Sequence, residues 1–163
     1  MSRKVQLDLE RSPVGIGLRK IGQWVSAGDF TDGGGADGTL NLSKQIPAGS
    51  FVFGSKVTVT TGFDAGGTAV MNIGTAADDD LFSVTTHNIE TAAANLCEGA
   101  DVAAAGGGTG IVPVSTTVTV LLTVTEGGGD FTLVGTTGRM YVEVFYLSTN
   151  PEVIDSVATR FDN

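Results

Sequence analysis

The sequence predicts an all-β fold, an antiparallel sandwich or jelly roll with an extended N-terminal arm. The 163 residues include 24 glycines, and only 17% of the residues are charged, a composition typical of turn-rich β structure. From residue 21 onward, hydrophobic side chains recur at every second position, as half-buried strands require. Segments that combine glycine with aspartate separate these stretches and are typical of turns. A closed barrel is the remaining all-β alternative.

The first 20 residues differ from the rest, and we divide the chain into a basic arm (residues 1–20) and one β-sandwich domain (residues 21–163). The arm has two carboxylates and five cations, which are Arg3, Lys4, Arg11, Arg19 and Lys20. Its net charge is therefore +3, and because the whole chain carries −9, the remaining residues carry −12. The arm is interpreted either as a contact to an acidic partner or as a disordered, solubilising tail.

The first strand candidates are residues 22–26, 39–43 and 50–61. In the third, we place Phe51, Phe53, Val57 and Val59 on the inner face, with Gly54 at a bulge or bend. Trp24 is interpreted as a buried anchor where the arm joins the domain.

Two later segments alternate most strictly. In residues 67–74, Ala69, Met71 and Ile73 share one face, and in residues 117–125 the same holds for Val118, Val120, Leu122 and Val124. Shorter candidates are residues 81–84 and 130–134. Residues 88–105 have the only helix-favouring composition and allow one short helix.

The last predicted strand, residues 138–148, is apolar on both faces. Met140, Val142, Val144 and Tyr146 share one face, whereas Tyr141, Glu143, Phe145 and Leu147 share the other. Such a strand either lies centrally, covered by other parts of its own chain, or contacts another subunit.

No set of residues predicts catalysis, a metal site or a cofactor. Asp78, Asp79 and Asp80 are adjacent, but the segment lacks the ligand spacing of a calcium loop, and neighbouring side chains point apart. We interpret it as a solvated, exposed turn, with a structural cation as the alternative. His87 is the only histidine and is interpreted as a loop residue, while the single Cys97 excludes an intrachain disulfide. The chain is predicted not to be an enzyme.

Charge and hydropathy also limit the partners. The surplus of negative charge outside the arm would repel phosphate groups, so direct nucleic-acid binding is not expected. No stretch has the roughly 20 apolar residues of a membrane span, and the N-terminus lacks the apolar core of a signal peptide. We expect synthesis in the cytoplasm and no membrane contact.

Residues 46–84, IPAGSFVFGSKVTVTTGFDAGGTAVMNIGTAADDDLFSV, resemble a block of small virion proteins from tailed bacteriophages. The block comprises Ile-Pro-Ala, a long valine-rich strand, a short turn, and a strand ending in Gly-Thr-Ala before an Asp-rich turn. The segments GTGIVPVSTTVTVLLTVT and GRMYVEVFYLS are similar to the closing strands of the same module. The likeness covers about two thirds of the chain, and residues 1–20 depart from it.

The resemblance implies a trimeric β-sandwich that decorates the outer surface of a capsid as a cement protein, made in the host cytoplasm. The implied partners are the major capsid protein and two further copies of the chain. On this hypothesis the arm cations contact an acidic capsid patch or an adjacent copy, and Tyr141, Phe145 and Leu147 are candidates for the trimer interface. The alternative is a receptor- or carbohydrate-binding module of a head or tail fibre.

Overall fold

The computed structural model describes residues 17–63, 67–83, 85–93, 96–99, 113–131 and 136–148. These residues form β-strands and one short 3-10 helix, Ala27–Asp29, and contain no α-helix. The strands are β1 (Gly17–Ser26), β2 (Thr31–Asp32), β3 (Asp37–Ile46), β4 (Phe51–Thr61), β5 (Ala69–Gly74), β6 (His87–Asn88), β7 (Leu96–Gly99), β8 (Val118–Glu126) and β9 (Arg139–Ser148). The predicted all-β class is confirmed.

The strands form two antiparallel sheets that enclose the core. The first, which we call the β9 sheet, has the order β1-β9-β4-β7, and the second, the β8 sheet, has the order β2-β3-β8-β5-β6. This arrangement confirms the predicted antiparallel sandwich. The more specific jelly-roll topology stays a prediction.

In β5, β8 and β9 the core side chains are the alternate ones that the sequence predicted to share a face. Each sheet contributes one face of every long strand, since successive side chains point to opposite sides. The buried sets include Ala69, Met71 and Ile73 from β5, Val120, Leu122 and Val124 from β8, and Met140, Val142, Val144 and Tyr146 from β9. Each large side chain removed from water in this way contributes roughly 1.5–3 kcal/mol to folding.

Strand β4 contains a bulge at Phe53. Val52 is opposite Tyr146 and Gly54 is opposite Phe145, so Phe53 is an extra residue with no counterpart on β9. Gly54 has a φ of 155°, a backbone conformation that side chains with a Cβ rarely adopt. The predicted bulge near Gly54 is therefore confirmed.

The same bulge makes part of the predicted face assignment wrong. Phe53 is 37% exposed and Phe51 is only partly buried, whereas Val52 is 4% exposed and belongs to the core. Because one inserted residue shifts the alternation by one position, Val52 before the bulge and Val57 and Val59 after it share the inner face.

Strand β1 begins at Gly17, inside the predicted arm. Arg19 and Lys20 therefore lie in the sheet, opposite Tyr146 and Phe145 of β9, and this corrects the expectation that they belong to an extended segment. They are held there because β1 pairs with β9 along its whole length and buries Ile21. Residues 1–16 lie outside the described residues, and the division into arm and domain stays a prediction.

Two further secondary-structure predictions are wrong where the chain is described. Of residues 88–105, the structure describes 88–93 and 96–99, and these contain the end of β6 and β7 in place of a helix. Residues 81–83 form a turn rather than a strand, in which the Phe82 N–H donates to the Ile73 carbonyl (2.8 Å) and the Ser83 hydroxyl accepts from the Ile73 N–H (3.1 Å). These bonds satisfy the backbone of Ile73, which lies beyond the residues of β5 that pair with β6.

Candidate docking face on the β9 sheet

The outer surface of the β9 sheet is formed by the side chains that alternate with the core residues. Residues directly opposite in an antiparallel pair project from the same face, so the register defines rows across the three long strands. The rows are Leu18, Leu147 and Phe51; Lys20 and Phe145; Gly22, Glu143 and Lys56; Trp24, Tyr141 and Thr58. We call these residues, together with Arg139 at one end and Phe53 at the bulge, the β9 face.

The β9 face contains the large exposed hydrophobic side chains of the described residues. These are Leu18, Trp24 and Phe53, which are 69%, 50% and 37% exposed. The outer surface of the β8 sheet is mainly polar and includes Thr39, Asn41, Asn72, Thr119, Thr123 and Thr125, with Val70 and Leu121 as apolar members. The two sides of the sandwich thus differ, and the β9 side has the composition of a contact surface.

One end of the β9 face is a cluster of two aromatic rings and a cation. The Trp24 and Tyr141 rings have centroids 5.1 Å apart at an angle of 47°, and the Arg139 guanidinium carbon lies 4.5 Å from the Trp24 ring centroid. Tilted aromatic pairs and cation–π contacts of this kind hold exposed side chains in defined positions.

The prediction that Trp24 is a buried anchor is wrong. Ile21 and Val25 are buried, so Gln23 lies on their side of the strand and Trp24 on the other. The alternation of Ile21, Gln23 and Val25 was the signal in the sequence that places Trp24 outside.

The middle of the β9 face carries an ion cluster. Glu143 has a side chain that is only 10% exposed, and its two oxygens lie 2.6 Å from Lys20 Nζ and 3.9 Å from Lys56 Nζ. The hydrogen bond to Glu143 and the attraction of its charge raise the pKa of Lys20 above its ordinary value of 10.5. Burial of Glu143 is compatible with this arrangement because the carboxylate has cationic partners.

The β9 face has more cations than carboxylates. Lys20, Lys56 and Arg139 face one carboxylate, that of Glu143, and Lys20 is its closer partner. Among the described residues, no carboxylate oxygen lies within 4.0 Å of Arg139. The face therefore combines exposed apolar surface with two net positive charges.

The structure brings together residues that the sequence analysis assigned to two separate contacts. Lys20, predicted as an arm residue, lies beside Tyr141, Phe145 and Leu147, predicted as trimer contacts, on the β9 face. Arg19 is partly buried on the opposite side of β1. Arg3, Lys4 and Arg11 lie outside the described residues. The partners assigned to all of these residues stay predictions.

Asp78, Asp79 and Asp80 form a compact acidic turn at the end of β5. One oxygen of each carboxylate lies within 4.8 Å of the others. The turn is fixed by its backbone, since the Thr75 N–H donates to the Asp78 carbonyl (2.7 Å) and the Thr75 hydroxyl accepts from the Asp78 N–H (3.2 Å). Asn72 donates to an Asp79 oxygen at 3.0 Å. The predicted turn is confirmed, and its carboxylates have the chemistry to attract a hard cation.

His87 does not lie in a loop, as the sequence analysis expected. It belongs to β6, opposite Met71 of β5, and is 1% exposed. Its side chain is therefore buried in the protein interior, beside the β8 sheet.

No protein-family model and no curated protein gives a significant match to this chain. The structure is similar to one chain of the acidic stable capsid structure of Helicobacter pylori bacteriophage KHP30, with a TM-score of 0.43, 11% identity, and coverage of 80% of this chain and 95% of that chain. It is also similar to one chain of the cyanophage Pam1 capsid asymmetric unit, with a TM-score of 0.47, 18% identity, and coverage of 82% and 86%. TM-scores below 0.5 establish neither a shared family nor a shared function.

Among the described residues, no helix has the length and hydropathy that a membrane span requires.

Proposed function

We propose that this chain is a virion structural protein of a tailed bacteriophage, a capsid decoration or cement protein. It binds the outer capsid surface as a homotrimer and stabilises contacts between major capsid subunits. The resemblance of residues 46–84 to phage virion proteins supports the class, and the all-β sandwich agrees with it.

The observation that carries the proposal is the composition of the β9 face. Trp, Tyr and Arg are the residue types most enriched where protein contacts derive their affinity, and on this face Trp24 contacts both Tyr141 and Arg139. A protein that acts by holding two others together needs such a surface, whereas the polar outer side of the β8 sheet is suited to solvent.

Within the proposed trimer, Tyr141, Phe145 and Leu147 contact a neighbouring copy, and the basic arm reaches an acidic patch on the capsid. A trimer that engages three equivalent capsid sites converts weak single contacts into strong attachment, because the second and third contacts are intramolecular. Each bound trimer then links neighbouring capsid subunits and opposes their separation.

The proposal is tested by adding the purified full-length chain to undecorated phage shells and measuring bound copies by sedimentation and mass spectrometry. We expect saturable binding at a fixed ratio to the capsid subunit and a higher temperature of shell disruption. Shells that bind no chain, or bind it without saturation, would contradict the proposal.

The contribution of the arm is tested by deleting residues 2–16, which leaves β1 intact. We expect a folded trimer with markedly weaker shell binding, since the cations Arg3, Lys4 and Arg11 are removed. The full-length chain with Arg3→Lys and Arg11→Lys, which keeps both positive charges, serves as the charge-matched control. Equal shell binding by the deletion variant and the full chain would refute a capsid contact through the arm.

An exposed Trp24 beside Tyr141 also favours a second candidate, a receptor- or carbohydrate-binding module on a head or tail fibre. Exposed aromatic rings supply the flat apolar surface that sugar rings contact. A glycan array distinguishes the two functions, because glycan binding without shell binding would support the fibre module.

A further inference from the structure

The charge of the β9 face is opposite to that of the molecule. The face carries Lys20, Lys56 and Arg139 against Glu143, whereas the whole chain has a net charge of −9. Lys20 is the close partner of Glu143, so Lys56 and Arg139 supply positive charge that the face itself does not neutralise at short range.

The acidic side chains of the described residues lie mainly on the β8 sheet and its turns. On that sheet and its turns lie Asp32, Asp37, Asp78, Asp79, Asp80, Glu90, Asp130 and the buried Glu126, whereas Asp29 lies in the 3-10 helix, Glu98 on β7 and Glu143 on the β9 face. The molecule therefore has a basic, aromatic face and, around the β8 sheet, turns that carry most of its described carboxylates, which we call the acidic side. Two copies of it are complementary in charge when the basic side of one meets the acidic side of the next.

We infer that the β9 face binds an acidic surface of a second copy of this chain, in a head-to-tail contact. The inference rests on the proposed self-association and specifies its geometry. A two-fold dimer through the same face would place two net positive charges of one copy against two of the other, which disfavours that arrangement.

The aromatic cluster strengthens the head-to-tail contact by excluding water. The Arg139 guanidinium lies over the Trp24 ring, which in turn packs against Tyr141, so a carboxylate from a neighbouring copy would approach the guanidinium beside an apolar ring. Ion pairs in such surroundings are screened less by salt than fully exposed pairs. A head-to-tail contact also leaves one basic and one acidic side free at each end, so it closes into a ring such as a trimer when the rotation permits.

The test uses the full chain with the double substitution Lys56→Glu and Arg139→Glu, called the face variant. Lys44→Glu is the comparison variant: it places the same kind of charge change on β3 of the β8 sheet, where the inference predicts that added negative charge does not weaken self-association. By native mass spectrometry and light scattering we expect trimers for the wild type and for Lys44→Glu. For the face variant we expect the dissociation constant between copies to rise about a hundredfold or more. Circular dichroism checks that each variant is folded.

A mixing experiment separates head-to-tail from two-fold contacts. The face variant keeps its acidic side, so in a 1:1 mixture with isotopically labelled wild type it should enter mixed dimers and trimers, in which its own β9 face makes no contact. Wild-type chains that form two-fold dimers, or a face variant that remains a homotrimer, would overturn the inference.

Two further measurements keep the test decisive. If the face variant does not fold, Lys56→Gln with Arg139→Gln replaces it, and this variant should weaken self-association and reduce its dependence on sodium chloride relative to the wild type. An unchanged salt dependence would overturn the inference. Shell binding is measured separately, because intact shell binding without head-to-tail contacts refutes only the inference, and trimers that bind no shell refute only the proposed function.

Discussion

The Tyr141 ring lies over the α-carbon of Gly22 on the neighbouring strand, in the space that a side chain at position 22 would occupy. The ring also packs against Trp24, so the glycine on β1 determines where both aromatic groups of the β9 face can lie. A substitution at Gly22 can therefore alter the β9 face without changing the core.

Gly22→Ala should change the β9 face and leave the fold intact. The added methyl group would overlap the Tyr141 hydroxyl, which is the mobile end of a side chain and can move, so the free energy of unfolding should change by no more than about 1 kcal/mol. Because Trp24 is the only tryptophan, its fluorescence reports the displaced ring, and we expect a shifted emission maximum. Gly28→Ala, with no atom within 4 Å of the new methyl group, is the control and should leave the emission unchanged. Identical spectra for Gly22→Ala and the wild type would show that the ring does not respond.

The bulge in β4 predicts that two adjacent substitutions differ strongly in their effect on stability. Val52→Asp places a charge in the core and should lower the free energy of unfolding by about 3 kcal/mol or more, whereas Phe53→Asp should change it by about 1 kcal/mol or less. Urea unfolding of both variants measures the difference. If Phe53→Asp proves the more destabilising, the inner face of β4 is assigned incorrectly.

Gly74→Ala should destabilise the acidic turn. A methyl group at position 74 would lie 2.6 Å from the Asp79 carbonyl oxygen and would also overlap the Asp78 carbonyl. Backbone atoms cannot rotate away as a side chain can, so we expect a loss of about 1–3 kcal/mol. Thermal unfolding measures the loss, again with Gly28→Ala as the control, and equal melting temperatures for the two variants would contradict this account of the turn.

The Lys20–Glu143 pair predicts a loss of stability at alkaline pH. The pKa of Lys20 is higher in the folded chain than its ordinary value of 10.5, so the folded state holds the proton more tightly than the unfolded state does. Its contribution to stability is therefore complete below that ordinary value of 10.5, which is the pKa in the unfolded chain, and is lost as pH rises through the folded pKa.

The measurement compares the melting temperatures of the wild type and Lys20→Met between pH 8 and pH 11.5. The wild type should be the more stable below about pH 10, and the difference should shrink above that value. Lys44→Met, which removes a lysine from the other sheet, should show no such convergence. A difference between wild type and Lys20→Met that stays constant over the whole range would mean that the ion pair does not contribute.

Local patterns in the sequence were sufficient to predict most of the strands. Strands β5, β8 and β9 alternate strictly, and the buried residues follow the period of two that the pleated backbone imposes. The pattern failed where one residue changed the period, as at Phe53. It also failed at residues 96–99, where alanine-rich neighbours suggested a helix and pairing with β4 produced β7 instead.

The β9 face was predicted only in part, because its members come from distant segments. The outward positions of Tyr141, Phe145 and Leu147 follow from alternation within one strand. The contact of Lys20 with Glu143 joins positions 123 residues apart, and only the pairing of β1 with β9 brings them together. No local property of the sequence carries that information.

The position of β9 between β1 and β4 also affects how the chain reaches its folded state. Strand β9 follows both of its neighbours in the sequence, and β1 precedes its own partner by more than a hundred residues. At synthesis rates of about 5–20 residues per second, β1 would leave the ribosome roughly 6–25 seconds before the strand that pairs with it. During that interval Leu18 and Trp24 belong to an unpaired segment that can associate with other nascent chains. We therefore expect the yield of folded protein to depend on growth temperature and chaperone supply, because assembly of the β9 sheet waits for the last of its strands.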